Sequence, residues 1–175
     1  RSPHSADGIS IKLSALFSRY EDAQRERVYA ELLPRVWQLI EPAAQANLNL
    51  TIDAEESDRL ELSLDLFEAL AARIAAAFPQ WTGFGLALQT YQTRALAVVD
   101  EIAAIAERYD LRFMVRLVKG AYWDGEVKRA QEAGPALPVE QAEERPRVVH
   151  RERGGVARLD PDREGVEDPT RGVPD

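Results

Sequence analysis

Four short apolar runs rich in β-forming residues recur about every 30–40 residues, and each precedes a segment of helical periodicity. Strands separated by helices pair in parallel, so this alternation narrows the fold more than any single residue does. ISIKLSAL (9–16) alternates apolar and polar positions, and LNLTIDAEE (48–56) stays extended until its charges begin. GFGLALQTY (83–91) opens with two glycines, and LRFMVRLVKGAYW (111–123) is the strongest strand of the set. Between them, Val28, Leu32, Val36, Leu39 and Ile40 share one face of a helix from Tyr20 to about Asn47, which Pro34 and Pro42 are expected to kink or split. Leu60, Leu64, Phe67, Leu70 and Ile74 mark a helix over 56–77. Val98, Val99, Ile102, Ile105 and Ala106 mark another over 95–109, and Asp124 reads as the N-cap of a last helix, 124–133. The expected class is α/β. A doubly wound sheet and a (β/α)8 TIM-like barrel both satisfy the alternation; in the second case about four β/α units form a barrel fragment whose outer strands have unpaired edges.

Composition divides the chain. All 13 aromatic residues lie between Phe17 and Trp123. Residues 135–175 carry seven Arg, ten Asp/Glu, six Pro and four Gly, with no lysine and no aromatic, too little apolar surface to offset ordering entropy. The expected organisation is an N-terminal extension (1–8), a folded part (9–134) and a disordered tail (135–175). The net charge of −8, with 15 basic against 20 acidic residues over 1–134, argues against a nucleic-acid surface. No apolar run reaches the roughly 18 residues of a membrane span, and no signal-peptide pattern opens the sequence. Cysteine is absent and only His4 and His150 carry imidazole, which excludes disulfides and thiolate metal sites and disfavours a histidine-based triad.

In parallel α/β folds the working groups collect at the C-terminal ends of the strands. Here those ends offer Lys12 and Ser14, then Asp53, Glu55 and Glu56, then Gln89 and Tyr91, then Arg116, Lys119, Tyr122 and Trp123. Each has an ordinary explanation: a solvated lysine, carboxylates favouring a helix N-terminus, packing aromatics. Four successive strands delivering polar groups to one rim are harder to explain that way. Arg116 and Lys119 supply positive charge for an anion or for developing negative charge, Gly120 permits close backbone approach, and Tyr122 and Trp123 offer flat apolar faces. The set suits a flat heteroaromatic cofactor with a phosphate tail. There is no GxGxxG and no Walker loop, and the DAEE carboxylates (53–56) leave a divalent-cation site as an alternative.

The stretches SIKLSAL (10–16), LTIDAEESDRLELSLDLFEAL (50–70), LALQTYQTRA (86–95) and MVRLVKGAYWDGEVKRAQ (114–131) resemble, in order and spacing, the proline dehydrogenase family. The likeness is nearest to the catalytic domain of the bacterial bifunctional proline utilisation flavoproteins. It implies a distorted (β/α)8 barrel binding FAD, oxidation of L-proline to Δ1-pyrroline-5-carboxylate, and electron transfer to a membrane quinone. It further implies a cytoplasmic parent able to associate peripherally with the inner membrane, and no nucleic-acid contact by this segment. By motif, Lys12 would sit by the substrate carboxylate, Asp53 would organise the proline pocket, and Tyr122 and Trp123 would line it. Ala54 and Gln89 would touch the flavin, Arg116 would lie beside its N5 region, and Lys119, Gly120, Ala121 and Trp123 would bind the cofactor. No metal is implied.

The sequence departs from the family pattern at two places. It opens just before what would be the second barrel strand, and the likeness stops after about Gly134, where the family continues with further strands and a last helix bearing the arginines that grip the carboxylate. The abrupt change there is what a shifted reading frame in an Arg/Gly/Pro-rich coding sequence would give; a natural disordered tail is the alternative. Two other functional readings follow: a non-catalytic truncated or frameshifted remnant, and a different barrel enzyme using the DAEE carboxylates with a metal.

Overall fold

A computed structural model describes residues 2–5 and 7–133, all within one compact unit, Arg1–Gln141. The expected tail at 135–175, and with it the reading-frame question, lies outside the described residues. Four strands, β1 (Gly8–Ile11), β2 (Asn49–Ile52), β3 (Phe84–Gln89) and β4 (Met114–Val118), form one parallel sheet in the order β1-β2-β3-β4. They are shorter than their apolar runs suggest, because each run continues into the loop that follows. The helices are α1 (Leu13–Leu16), α2 (Arg25–Arg27), α3 (Leu33–Gln45), α4 (Leu60–Ala77), α5 (Ala95–Tyr109) and α6 (Trp123–Ala133).

Strand order decides between the two architectures. A doubly wound sheet reverses direction at a switch point and puts helices on both faces; here every crossover advances one strand the same way, the pattern of a barrel wall. Alternation along the strands agrees. Ile11, Leu50, Ile52, Phe84, Leu86 and Leu88 point to one face, where they join the helices in a single core. Ser10, Thr51, Asp53, Gly85, Ala87, Gln89, Met114 and Arg116 have the opposite parity and form the other face. Phe67 of α4 fixes the helical layer, stacking on Phe84 at 4.7 Å between centroids and meeting Phe113 edge-on at 4.8 Å.

The two prolines differ in effect. A π-helical turn, Val28–Leu32, closed by Leu33 N–H donating to the Val28 carbonyl, precedes Pro34, which then falls at the start of α3, where a missing N–H costs little. Pro42 is carried inside α3 without splitting it. Asp124 is not a cap either: α6 begins one residue earlier, at Trp123. Among the described residues no helix is long and apolar enough to cross a membrane.

Candidate functional site

The polar face gathers its charges at the C-terminal end of the sheet. Lys12 and Asp53 follow the paired residues Ile11 and Ile52, and the Asp53 N–H extends the ladder by donating to the Ile11 carbonyl at 2.8 Å. One strand further, Ala87 is the paired neighbour of Arg116, so Lys12, Asp53, Ala87 and Arg116 lie at one level. Arg116 is therefore the third residue of β4 and not its last, a turn of the pleat deeper than its place in the motif suggests.

Arg116 and Asp53 meet. The Arg116 Nη2 group donates to Asp53 Oδ1 and, at 3.3 Å, to Ser10 Oγ, while the Ser10 hydroxyl donates to the same carboxylate oxygen. The Arg116 side chain is 50% exposed against 21% for Asp53, so the pair is worth only up to ~1 kcal/mol in stability. The guanidinium is held through one nitrogen, and Nε and Nη1 form no hydrogen bond among the described residues. Lys12 and Lys119 are exposed and form no ion pair among the described residues.

Behind this pair a second set of contacts builds the rim. Gln89 is buried and its amide is committed at both ends, Nε2 donating to the Glu55 carbonyl at 2.7 Å and Oε1 accepting from Ala121 N–H at 3.1 Å. It thus joins the loop after β2 to the loop after β4. Gly120, in the loop after β4, has φ +150°, and a Cβ there would come within 2.4 Å of the Tyr91 ring. Burial, and then the neighbouring Glu126 carboxylate, push the Tyr91 phenol up. Ala54 is half-buried beside Asp53, Ala121 is exposed, Tyr122 is half-buried, and Trp123 opens α6 with 38% of its surface free.

Three residues do work that motif reasoning did not assign. Glu55, read as a helix-terminus or metal carboxylate, is buried: Oε1 accepts from Ser14 N–H at 3.0 Å and Oε2 pairs with Arg59 at 2.9 Å. Arg59 also reaches Glu56 at 3.1 Å. Glu126 on α6 is buried and accepts the Ser57 N–H at 2.7 Å, tying α6 to the start of the turn before α4. Ser10 touches both members of the central ion pair. Period-two alternation placed Ser10 beside Lys12 on the same face, which was the available signal. Among the described residues no group of three or more His, Asp or Glu is arranged to hold a metal ion. A crevice lined by Asp53, Ala54, Glu55 and Gln89 at the rim and by Phe67 and Leu88 beneath them has no lysine or arginine in its wall.

The residues present fit a flavin by their chemistry. Among the described residues, a paired guanidinium with further free donors, two amines without an ion pair and the exposed Trp123 lie along one rim, where an anionic, planar group finds both charge and stacking surface.

Comparison with known proteins gives one consistent likeness. The family model described as proline dehydrogenase matches residues 1–148. The bifunctional protein PutA of Salmonella typhimurium is 51% identical over 134 residues, 77% of this chain and 10% of that protein. PutA of Rhizobium meliloti is 52% identical over 140 residues, 79% and 11% of the two. Among solved structures, a mutant of Bradyrhizobium japonicum proline utilization A superposes with a TM-score of 0.71 at 53% identity, covering 75% of this chain and 13% of that one. Proline utilization A from Bdellovibrio bacteriovorus, inactivated by N-propargylglycine, gives 0.69 at 28% identity, covering 80% and 15%. The chain spans about a tenth of the length of the curated relatives it matches.

Proposed function

The chain belongs to the proline dehydrogenase family, and on that premise we propose that it takes part in FAD-dependent oxidation of L-proline to Δ1-pyrroline-5-carboxylate. The observation that carries this reading is the Asp53–Arg116 pair on the polar face, with the free donors of Arg116 level with an unpaired Lys12. When bound, the flavin supplies the two-electron oxidation of the proline amine to an imine. The protein's residues bind and orient. Lys12 pairs with the substrate carboxylate, Asp53 holds Arg116, and Arg116 offers positive charge beside the flavin N5 region. Lys119, Gly120 and Ala121 line the cofactor, Ala54 and the braced Gln89 abut it, and Tyr122 and Trp123 supply flat walls. The electron acceptor in this reading is a quinone, reached by a cytoplasmic parent that associates peripherally with the inner membrane.

The test is anaerobic addition of L-proline to the full chain loaded with FAD, followed by flavin absorption. Bleaching is expected, slowed by roughly 10²–10³-fold in Arg116→Ala, the loss typical of a donor at developing charge; a spectrum that stays oxidised in the unsubstituted chain refutes the reading. Ile9, Val115 and Leu117, exposed on the two outer strands, favour a second reading in which this segment is a non-catalytic truncated or frameshifted remnant. That reading expects no retained FAD at all.

A further inference from the structure

We propose that Tyr91 is a positioning residue for the loop after β4, its ring forming the seat on which Gly120 rests and so setting the course of residues 119–121. For what that loop meets, the proposal rests on the flavin reading above; the positioning itself does not. Three consecutive residues at the end of β3 hold the loop. The Thr90 N–H and hydroxyl both donate to the Val118 carbonyl, at 2.9 and 3.2 Å, and fix where the loop leaves β4. Gln89 Oε1 accepts from the Ala121 N–H at 3.1 Å and fixes where it arrives. Between these two points, among the described residues, no hydrogen bond holds Lys119 or Gly120. What meets that span is the Tyr91 ring, so close to Gly120 that a Cβ there would lie 2.4 Å from one ring carbon and 2.9 and 3.1 Å from two more.

The contact is one of shape. Gly120 has φ +150°, a backbone region that residues with a Cβ rarely adopt, and its bare Cα lets the chain approach the ring this closely. The hydroxyl is not the holding group. It is buried beside Glu126 and Gln92, yet no contact it makes among the described residues has hydrogen-bond geometry. The ring is therefore expected to suffice. Without it, residues 119 and 120 span two anchors with nothing beneath them, and an unsupported span opens at low cost. A loop that keeps its competent form about a tenth of the time binds its ligand about tenfold more weakly, because the ligand must first select that form.

Amide hydrogen exchange in the full chain labelled with ¹⁵N tests this without flavin. The Ala121 amide reads the loop, and the Leu50 amide, which donates to the Gly83 carbonyl at 2.8 Å, reads the sheet. In Tyr91→Ala the Ala121 amide is expected to exchange about tenfold faster or more while Leu50 keeps its rate. In Tyr91→Phe, which retains the ring, both amides stay at their original rates. If Tyr91→Ala loses its fold, Tyr91→Leu, which lacks the ring but keeps part of its volume, reads the same exchange. Ala121 exchange unchanged in the folded Ala or Leu variant overturns the proposal. Equal acceleration of both amides also overturns it, since Tyr91 would then serve general stability and not the loop. So does acceleration in Tyr91→Phe as large as in Tyr91→Ala, because the hydroxyl and not the ring would hold the loop. FAD titration then reads the flavin side, with Kd expected to rise about tenfold in Tyr91→Ala and to stay unchanged in Tyr91→Phe. If the unsubstituted chain binds no flavin, the proposed function fails while the exchange measurement still decides the role of Tyr91.

Discussion

Arg116 and Asp53 were each legible from the sequence as polar groups near strand ends; strand order and register put them on one face. Their direct contact was not legible, since it depends on strand order and register, which bring β4 within reach of the residue after β2. Ser10 was passed over for the same reason: its partner Arg116 is 106 positions away, and a serine in a strand looks like ordinary polar alternation. Tyr20 shows how burial changes a residue whose sequence context says little. It is 2% exposed, its hydroxyl lies 2.7 Å from Ser63 Oγ, and Arg59 sits over its ring at 5.9 Å. Burial, chiefly, raises the phenol well above its ordinary value. The unfolded chain ionises this group near pH ~10 while the folded chain does not, so the stability it contributes is complete below that pH and declines as pH rises above it. Tyr20→Phe is expected to cost about 1 kcal/mol at neutral pH through the lost Ser63 contact, and to flatten the alkaline decline. Denaturant midpoints measured from neutral pH upward check this; parallel curves for the two proteins would rule it out.

At the scale of elements, periodicity read helices more accurately than strands. The segment 95–109 matches α5 residue for residue, because its apolar stripe ends where Asp110 takes up a left-handed conformation with φ +49°. Strands were read too long, since β-forming residues such as Thr90 and Tyr91 continue into the rim loops, where they serve the site. The acidic loop after β2 was recognised as chemically loaded, but Glu55 is an internal tie that accepts the Ser14 N–H, as Glu126 of α6, which the sequence reading did not single out, accepts the Ser57 N–H. A carboxylate on α6 has the same appearance in sequence whether it faces water or a distant amide. Removing the tie should be visible locally. Glu126→Ala leaves the Ser57 N–H without its acceptor, at a cost of about 1–3 kcal/mol, whereas Glu126→Gln keeps an oxygen in place. Hydrogen exchange at the Ser57 amide is therefore expected to accelerate in the Ala variant and to stay close to the original in the Gln variant. Acceleration of equal size in both would mean that charge, and not the hydrogen bond, holds α6.

For the molecule as a whole, alternation in the sequence established a parallel sheet but could not choose between a doubly wound sheet and a barrel wall, because local pattern carries no information on the direction of successive crossovers. The order β1-β2-β3-β4 supplies that choice and leaves, among the described residues, one edge of each outer strand without a paired strand. Those strands also expose apolar side chains on the helix-facing side, Ile9 at 44%, Val115 at 42% and Leu117 at 50%, while the equivalent residues of β2 and β3 are buried. An extended edge with free backbone donors and acceptors and an apolar face invites pairing with another sheet. The chain in solution is accordingly expected to associate with rising concentration. Leu117→Lys places a charge on the outer strand without disturbing the Phe67 cluster on the inner ones, so it should lower the associated fraction while leaving the helical signal intact. Light scattering over a concentration series, paired with far-UV circular dichroism, measures both quantities. Association undiminished in a folded Leu117→Lys variant would show that the contact is made elsewhere than along β4.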